Sequence, residues 1–158
     1  MMTLSFTGCH ESVENDISKV ELAKGTCFGP CVPFAISIDN SFNYKFYADS
    51  SFTWNKKKPK QSKVNYTGIA DSQLWSKLIN ELKHVDYKHP DTTKRIVVAD
   101  AQHAEIIIYW GKNKTKIYEP GRNFDKVISL LGSSHTQIKL HPTNNELYFE
   151  TTLQSHVH

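Results

Sequence analysis

The order of periodicities along the chain predicts an α+β fold, a largely antiparallel sheet built from hairpins with two helices packed on one face. Three observations predict it. Apolar residues recur at every second position through the first half, two stretches of three- and four-residue spacing interrupt the second half, and the regular β-α-β alternation of a parallel sheet is missing. With 158 residues the chain holds one ordinary domain and one core.

Phe34, Ile36 and Ile38 fall on one side of a first strand, Asp39-Asn40-Ser41 makes a turn, and Phe42, Tyr44 and Phe46 alternate along the return. A third run near residues 51–54 and a fourth near 63–69 flank a lysine-rich turn, so the first half reads as a meander. Asp71 or Ser72 then caps a helix whose stripe is Leu74, Trp75, Leu78, Ile79, Leu82 and Val85. Residues 95–99 and 104–110 are rich in β-branched and aromatic side chains, and Ile106-Ile107-Ile108 reads as a strand buried on nearly both faces. Residues 111–114 turn the chain into a strand at 115–119, which Pro120-Gly121 stops. Asn123 caps a shorter helix with Phe124, Val127, Ile128 and Leu131 as its apolar face, and Gly132 ends it. A final hairpin joins 137–141 to 146–151 through Pro142-Thr143-Asn144-Asn145.

The beginning of the chain predicts an address. Residues 1–9 run from an apolar stretch through Thr7-Gly8 to Cys9 and resemble the end of a bacterial lipoprotein signal peptide, with the true start codon lying upstream. Cys9 is the expected lipidation site, and residues 10–24, acidic and without a firm period, read as a flexible tether to a domain spanning 25–153. A cytosolic protein with a chance Gly-Cys pair is the alternative. Residues 154–158 read as a disordered tail.

Cys27 and Cys31 stand four positions apart around a Gly-Pro break, where a turn can bring them within bridging distance. An exported protein would oxidise them to a disulfide. A cytosolic one would keep two buried thiols, and a redox or metal pair is a third reading for which two ligands are too few for zinc.

From Gly25 to about Leu131 the chain resembles an uncharacterised bacterial family, a domain of unknown function found in lipoproteins of the Bacteroidetes. The matching residues are Cys27-Phe28-Gly29-Pro30-Cys31-Val32-Pro33-Phe34, then Tyr66-Thr67-Gly68 before the first helix, Tyr87 after it, and Asp100 before the isoleucine-rich strand. The resemblance implies export, the cysteine bridge and the strand-helix order. It implies no activity.

Candidate sites are few. Lys56, Lys57 and Lys58, with Lys60 and Lys63 close by, could rest on a phosphate surface such as acidic lipid headgroups, or form a solvated hairpin tip. Tyr47, Trp54 and Tyr66 lie on strands, where an open face would make them, with those lysines, a candidate binding surface. Asp100, His103 and Glu105 put an acid, a base and a second acid within six residues, a weak alternative catalytic cluster unless they converge in a cleft. Neither G-x-S-x-G, H-E-x-x-H nor a glycine-rich phosphate loop is present. Only His156-Val157-His158 has metal-like spacing, and it sits at the terminus, so neither metal nor cofactor is expected.

The net charge of +3 is too slight to indicate a nucleic-acid partner. The expectation is therefore a lipid-anchored protein of the cell envelope, facing the periplasm or the outer surface. It would act as a non-enzymatic binding module for an envelope protein or component. The alternative is a small hydrolase or ligand-binding accessory that uses the Asp/His/Glu cluster.

Overall fold

The computed structural model describes residues 16–29, 31–49, 63–91 and 101–153. The expected signal remnant with Cys9, the run at 51–54 with Trp54, the turn with Lys56, Lys57 and Lys58, the strand at 95–99, Asp100 and the tail at 154–158 lie outside them.

Seven strands form one sheet: β1 (Ile17–Lys24), β2 (Phe34–Asp39), β3 (Asn43–Asp49), β4 (Lys63–Ile69), β5 (Ala104–Trp110), β6 (Asn113–Tyr118) and β7 (His141–Pro142). Every pairing is antiparallel, in the order β6-β5-β1-β2-β3-β4-β7. Two helices, α1 (Ser72–Leu82) and α2 (Asp125–Ser134), cover one face. The α+β architecture with its helices on one side is the one the periodicities predict.

The helix face holds the main core. Val20 and Leu22 of β1, Ile36 and Ile38 of β2, Tyr44 of β3 and Ile106 and Ile108 of β5 meet Leu74, Leu78 and Leu82 of α1 and Val127 and Leu131 of α2. Each such side chain contributes about 1.5–3 kcal/mol on leaving water. Asp71 caps α1, its Oδ1 accepting the Leu74 N–H at 2.7 Å. The Asp39 carboxylate fixes the first hairpin by accepting the N–H groups of Ser41 and Asn43 at 2.9 and 3.0 Å.

Three expectations need correction. Residues 17–24, expected to belong to a tether, form an inner strand of the sheet, between β2 and β5. This strand is buried on both faces, yet the second face carries Glu21 and Ala23, so neither alternation nor a continuous apolar run announces it. Asn123 does not cap the second helix: a turn of 3-10 helix at Arg122–Phe124 leads into α2, which runs through Gly132 to Ser134.

The final hairpin also does not form. The chain after α2 crosses β4 so closely that a Cβ on Gly68 would stand 2.9 Å from the Lys139 carbonyl oxygen, so glycine is needed there. It pairs with β4 through His141 and Pro142 only, and residues 147–153 then pass onto the face of the sheet opposite the helices. Pro142 lacks the N–H that a longer ladder would need.

Candidate functional site

The face away from the helices is polar, and the register orders it in rows. Tyr118, Glu105, Ala23, Ala35 and Tyr47 form one row across five strands; Lys116, Ile107, Glu21, Ser37 and Lys45 form the next. Ala23 and Ala35 are small, and Phe149 and Leu153 settle on them, with Tyr47 and Leu147 alongside. The C-terminal segment thus lies across the sheet as a strap.

Two buried carboxylates hold the strap. Glu21, 1% exposed, accepts the backbone N–H of Glu150 at 2.8 Å and that of Thr151 at 3.3 Å, and pairs with Lys19 at 2.9 Å. Glu105, 2% exposed, accepts the Thr152 N–H at 3.4 Å and its hydroxyl at 3.3 Å, and pairs with Lys116 at 2.8 Å. A buried charge is tolerated only when paired and hydrogen-bonded, and both glutamates meet that condition. Glu150 in turn pairs with Lys114, which holds the Glu150 carboxyl below the usual range. Beside them, burial first and then the charges of Glu21 and Glu150 push the Tyr109 phenol well above the ordinary tyrosine value.

Where Thr152 and Leu153 of the strap lie beside β5 and β6, a cleft of about 500 Å³ opens, lined by those two residues with Gly25, Thr26, His103, Glu105, Lys116 and Tyr118. Its size is that of a small-molecule site. Behind it stands Glu119, whose Oε1 lies 2.6 Å from His103 Nδ1 and accepts the Ala104 N–H at 3.2 Å. The carboxylate can only accept, so Nδ1 carries the shared hydrogen and Nε2 is the ring nitrogen left for other partners. The His103 ring stacks on that of Tyr118 with centroids 6.1 Å apart and planes 22° from parallel. Burial, followed by the charges of Glu119 and Glu105, raises the pKa of the Tyr118 phenol.

Glu119 reaches His103 because its backbone is left-handed, with φ +51°. A residue with a Cβ adopts that conformation at a cost of about 1–2 kcal/mol, and one before proline is normally pushed toward extended backbone. The strain turns the carboxylate back over the Ala104 amide instead of letting it continue outward along the sheet edge.

His103 and Glu105 of the expected cluster therefore line one cleft. They do not bond to each other; His103 takes Glu119 and Glu105 takes Lys116. Sequence reasoning missed Lys116, Tyr118, Glu119 and Thr152. The register of the β5-β6 hairpin was the available signal, since it sets Glu105 opposite Tyr118. Tyr47 and Tyr66 do not share a surface: Tyr47 is half-buried beside the strap, whereas Tyr66 is half-buried on the helix face, 6.3 Å from Phe46, whose ring stacks on His135 at 4.8 Å. Cys27 and Cys31 are joined as a disulfide, with Cα atoms 5.5 Å apart. Among the described residues no three His, Cys, Asp or Glu side chains cluster as a metal site would require.

Compared with family models, with curated proteins and with solved structures, the chain matches none, so the cleft is read from its own geometry.

Proposed function

We propose that this chain is a lipid-anchored binding module of the cell envelope, held to the membrane through Cys9, that receives its ligand in the cleft beside Thr152 and Leu153 of the strap. The observation that carries the reading is the cleft's construction. Two side-chain pairs, His103 with Glu119 and Lys116 with the buried Glu105, hold its polar groups, and the strap's own backbone bonds to Glu105 as well. Fixed polar groups around a concave surface are what a recognition site needs, because little side-chain entropy is then lost on binding.

The Cys27–Cys31 bridge and the signal-like residues before Cys9 support export, and so does the resemblance to a family of Bacteroidetes lipoproteins. Among the described residues no helix is long and apolar enough to cross a membrane; the attachment in this reading is the lipid on Cys9.

Expression from the full upstream reading frame, in a host that processes lipoproteins, tests the address. The intact mass should show cleavage before Cys9 and added acyl chains, and Cys9→Ala should release a folded domain. Capture from envelope extract with wild-type and Tyr118→Ala baits tests the cleft. A component retained by the first and lost by the second is expected; identical recovery by both baits contradicts a role for the cleft.

A second reading rests on the His103–Glu119 pair alone. A histidine oriented by a carboxylate is the arrangement of a general base, so the cleft could serve a small hydrolase. That reading requires a turnover that His103→Gln abolishes; a screen of ester, amide and glycoside substrates without such turnover removes it.

A further inference from the structure

The chemistry of the cleft walls narrows the ligand class, on the premise that the cleft is the binding site. Charge comes first. Glu105, the carboxylate on the wall, is matched by Lys116 at 2.8 Å, and Glu119 behind it lies 2.6 Å from His103. A ligand of either charge meets a wall on which Lys116 and Glu105 already neutralise each other, and gains no net attraction from it. A neutral ligand bearing many hydroxyl groups meets no net repulsion.

Such a ligand finds unspent hydrogen-bonding capacity. The Lys116 side chain is half exposed and uses one of its three donors on Glu105, whose own oxygens are buried and occupied by Lys116 and Thr152. Bonds from this ammonium to neutral hydroxyls are charge-assisted, about twice as strong as neutral ones. His103 Nε2 and the Tyr118 hydroxyl add one site each; burial and the nearby carboxylates keep that phenol protonated and able to donate.

The remaining wall is a flat aromatic surface. Tyr118 is 40% exposed, and its ring is backed by the nearly parallel ring of His103. An exposed aromatic face attracts the partly positive C–H groups of a saturated ring, as it attracts the edge of another aromatic ring. Hydroxyls around the rim and C–H groups on one face describe a pyranose sugar.

We infer that the cleft formed by His103, Glu105, Lys116 and Tyr118 binds a neutral saccharide, one pyranose ring lying on Tyr118 with its hydroxyls reaching Lys116 and His103 Nε2. The sugar would be an envelope glycan or a free oligosaccharide, and both share this chemistry.

The test uses the full chain on an array of neutral glycans, with sialylated and uronic-acid glycans as charged comparators. Wild type should be retained on at least one neutral glycan. Titration with that glycan in soluble form should give an affinity that Tyr118→Ala weakens about tenfold or more and Tyr118→Phe by less than about threefold. Tyr148→Ala, which alters an exposed tyrosine outside the cleft, should leave it unchanged. Retention on charged glycans only, on no glycan, or equally by wild type and Tyr118→Ala overturns the inference. If the array fails while capture from envelope extract still depends on Tyr118, the sugar is wrong and the binding cleft stands; if neither depends on Tyr118, both fall.

Discussion

Glu21 accepts the backbone N–H of Glu150 at 2.8 Å, although 129 positions separate them along the chain. The contact joins an inner strand of the sheet to the strap that lies across it. Replacing Glu21 with alanine leaves the N–H groups of Glu150 and Thr151 without their acceptor, and each buried donor so stranded costs about 1–3 kcal/mol. Glu21→Ala should therefore lower unfolding stability by about 2–4 kcal/mol, whereas Glu21→Gln, which keeps a neutral acceptor, should lose about 1–2 kcal/mol. Urea titration reads this as a fall in midpoint; no shift would mean the strap contributes nothing to the fold.

Glu119 offers a test of strain. Glu119→Gly and Glu119→Ala both remove the carboxylate from His103, but only the alanine keeps a Cβ in the left-handed backbone. The glycine variant should be more stable than the alanine variant by about 1 kcal/mol. Equal stability would show that the backbone relaxes on losing the carboxylate.

Closing so short a loop as Cys27 to Cys31 constrains the unfolded chain little, by about 2 kcal/mol at most. Dithiothreitol should lower the melting temperature by several degrees and leave the far-ultraviolet circular dichroism of the folded protein unchanged. Unfolding at room temperature on reduction would show that the bridge organises more than its own turn.

The pH dependence has a sign at each end. Burial raises the Tyr44 phenol, whose oxygen lies 2.7 Å from Ser134 Oγ, far above its ordinary 10.0, and burial followed by Asp49 pushes Tyr47 up to about 12. The folded state then holds protons that the unfolded chain gives up, so stability is full below pH 10 and falls as pH rises beyond it. Tyr44→Phe should flatten that fall. At the acid end Lys114 holds Glu150 below 4.5, so its contribution is present above that pH and is lost as pH falls through the lowered value. Glu150→Gln should remove that part of the acid loss in urea midpoints measured across pH.

The fold was legible where the residues of an element carry a local pattern. The first hairpin, α1 and β5 all carry one: alternation, three- and four-residue spacing, and an unbroken β-branched run on a strand buried on both faces. β1 does not, because its second face is buried under a strap whose existence depends on residues about 130 positions away, and a strand covered from so far along the chain leaves no local period. The strap was misread for the same reason: residues 146–151 alternate as a strand would, but their hydrogen bonds go to glutamate side chains instead of a ladder.

The cleft was half legible. His103 and Glu105 stood out as titratable neighbours, yet their partners depend on the β5-β6 register. The sequence suggested a turn over residues 111–114, while the actual turn is Gly111-Lys112, with Gly111 at φ +53°. That two-residue difference moves Tyr118 opposite Glu105 and brings Glu119 within reach of His103.

Amide hydrogen exchange at Glu150, Thr151 and Thr152 tests most directly whether two buried glutamates hold the strap and thereby build the cleft. These three amides should exchange slowly in the wild type and much faster in the Glu21→Gln, Glu105→Gln double variant, while Val20 and Leu22 stay protected in both. Exchange at free-peptide rates in the wild type, with β1 still protected, would contradict the account.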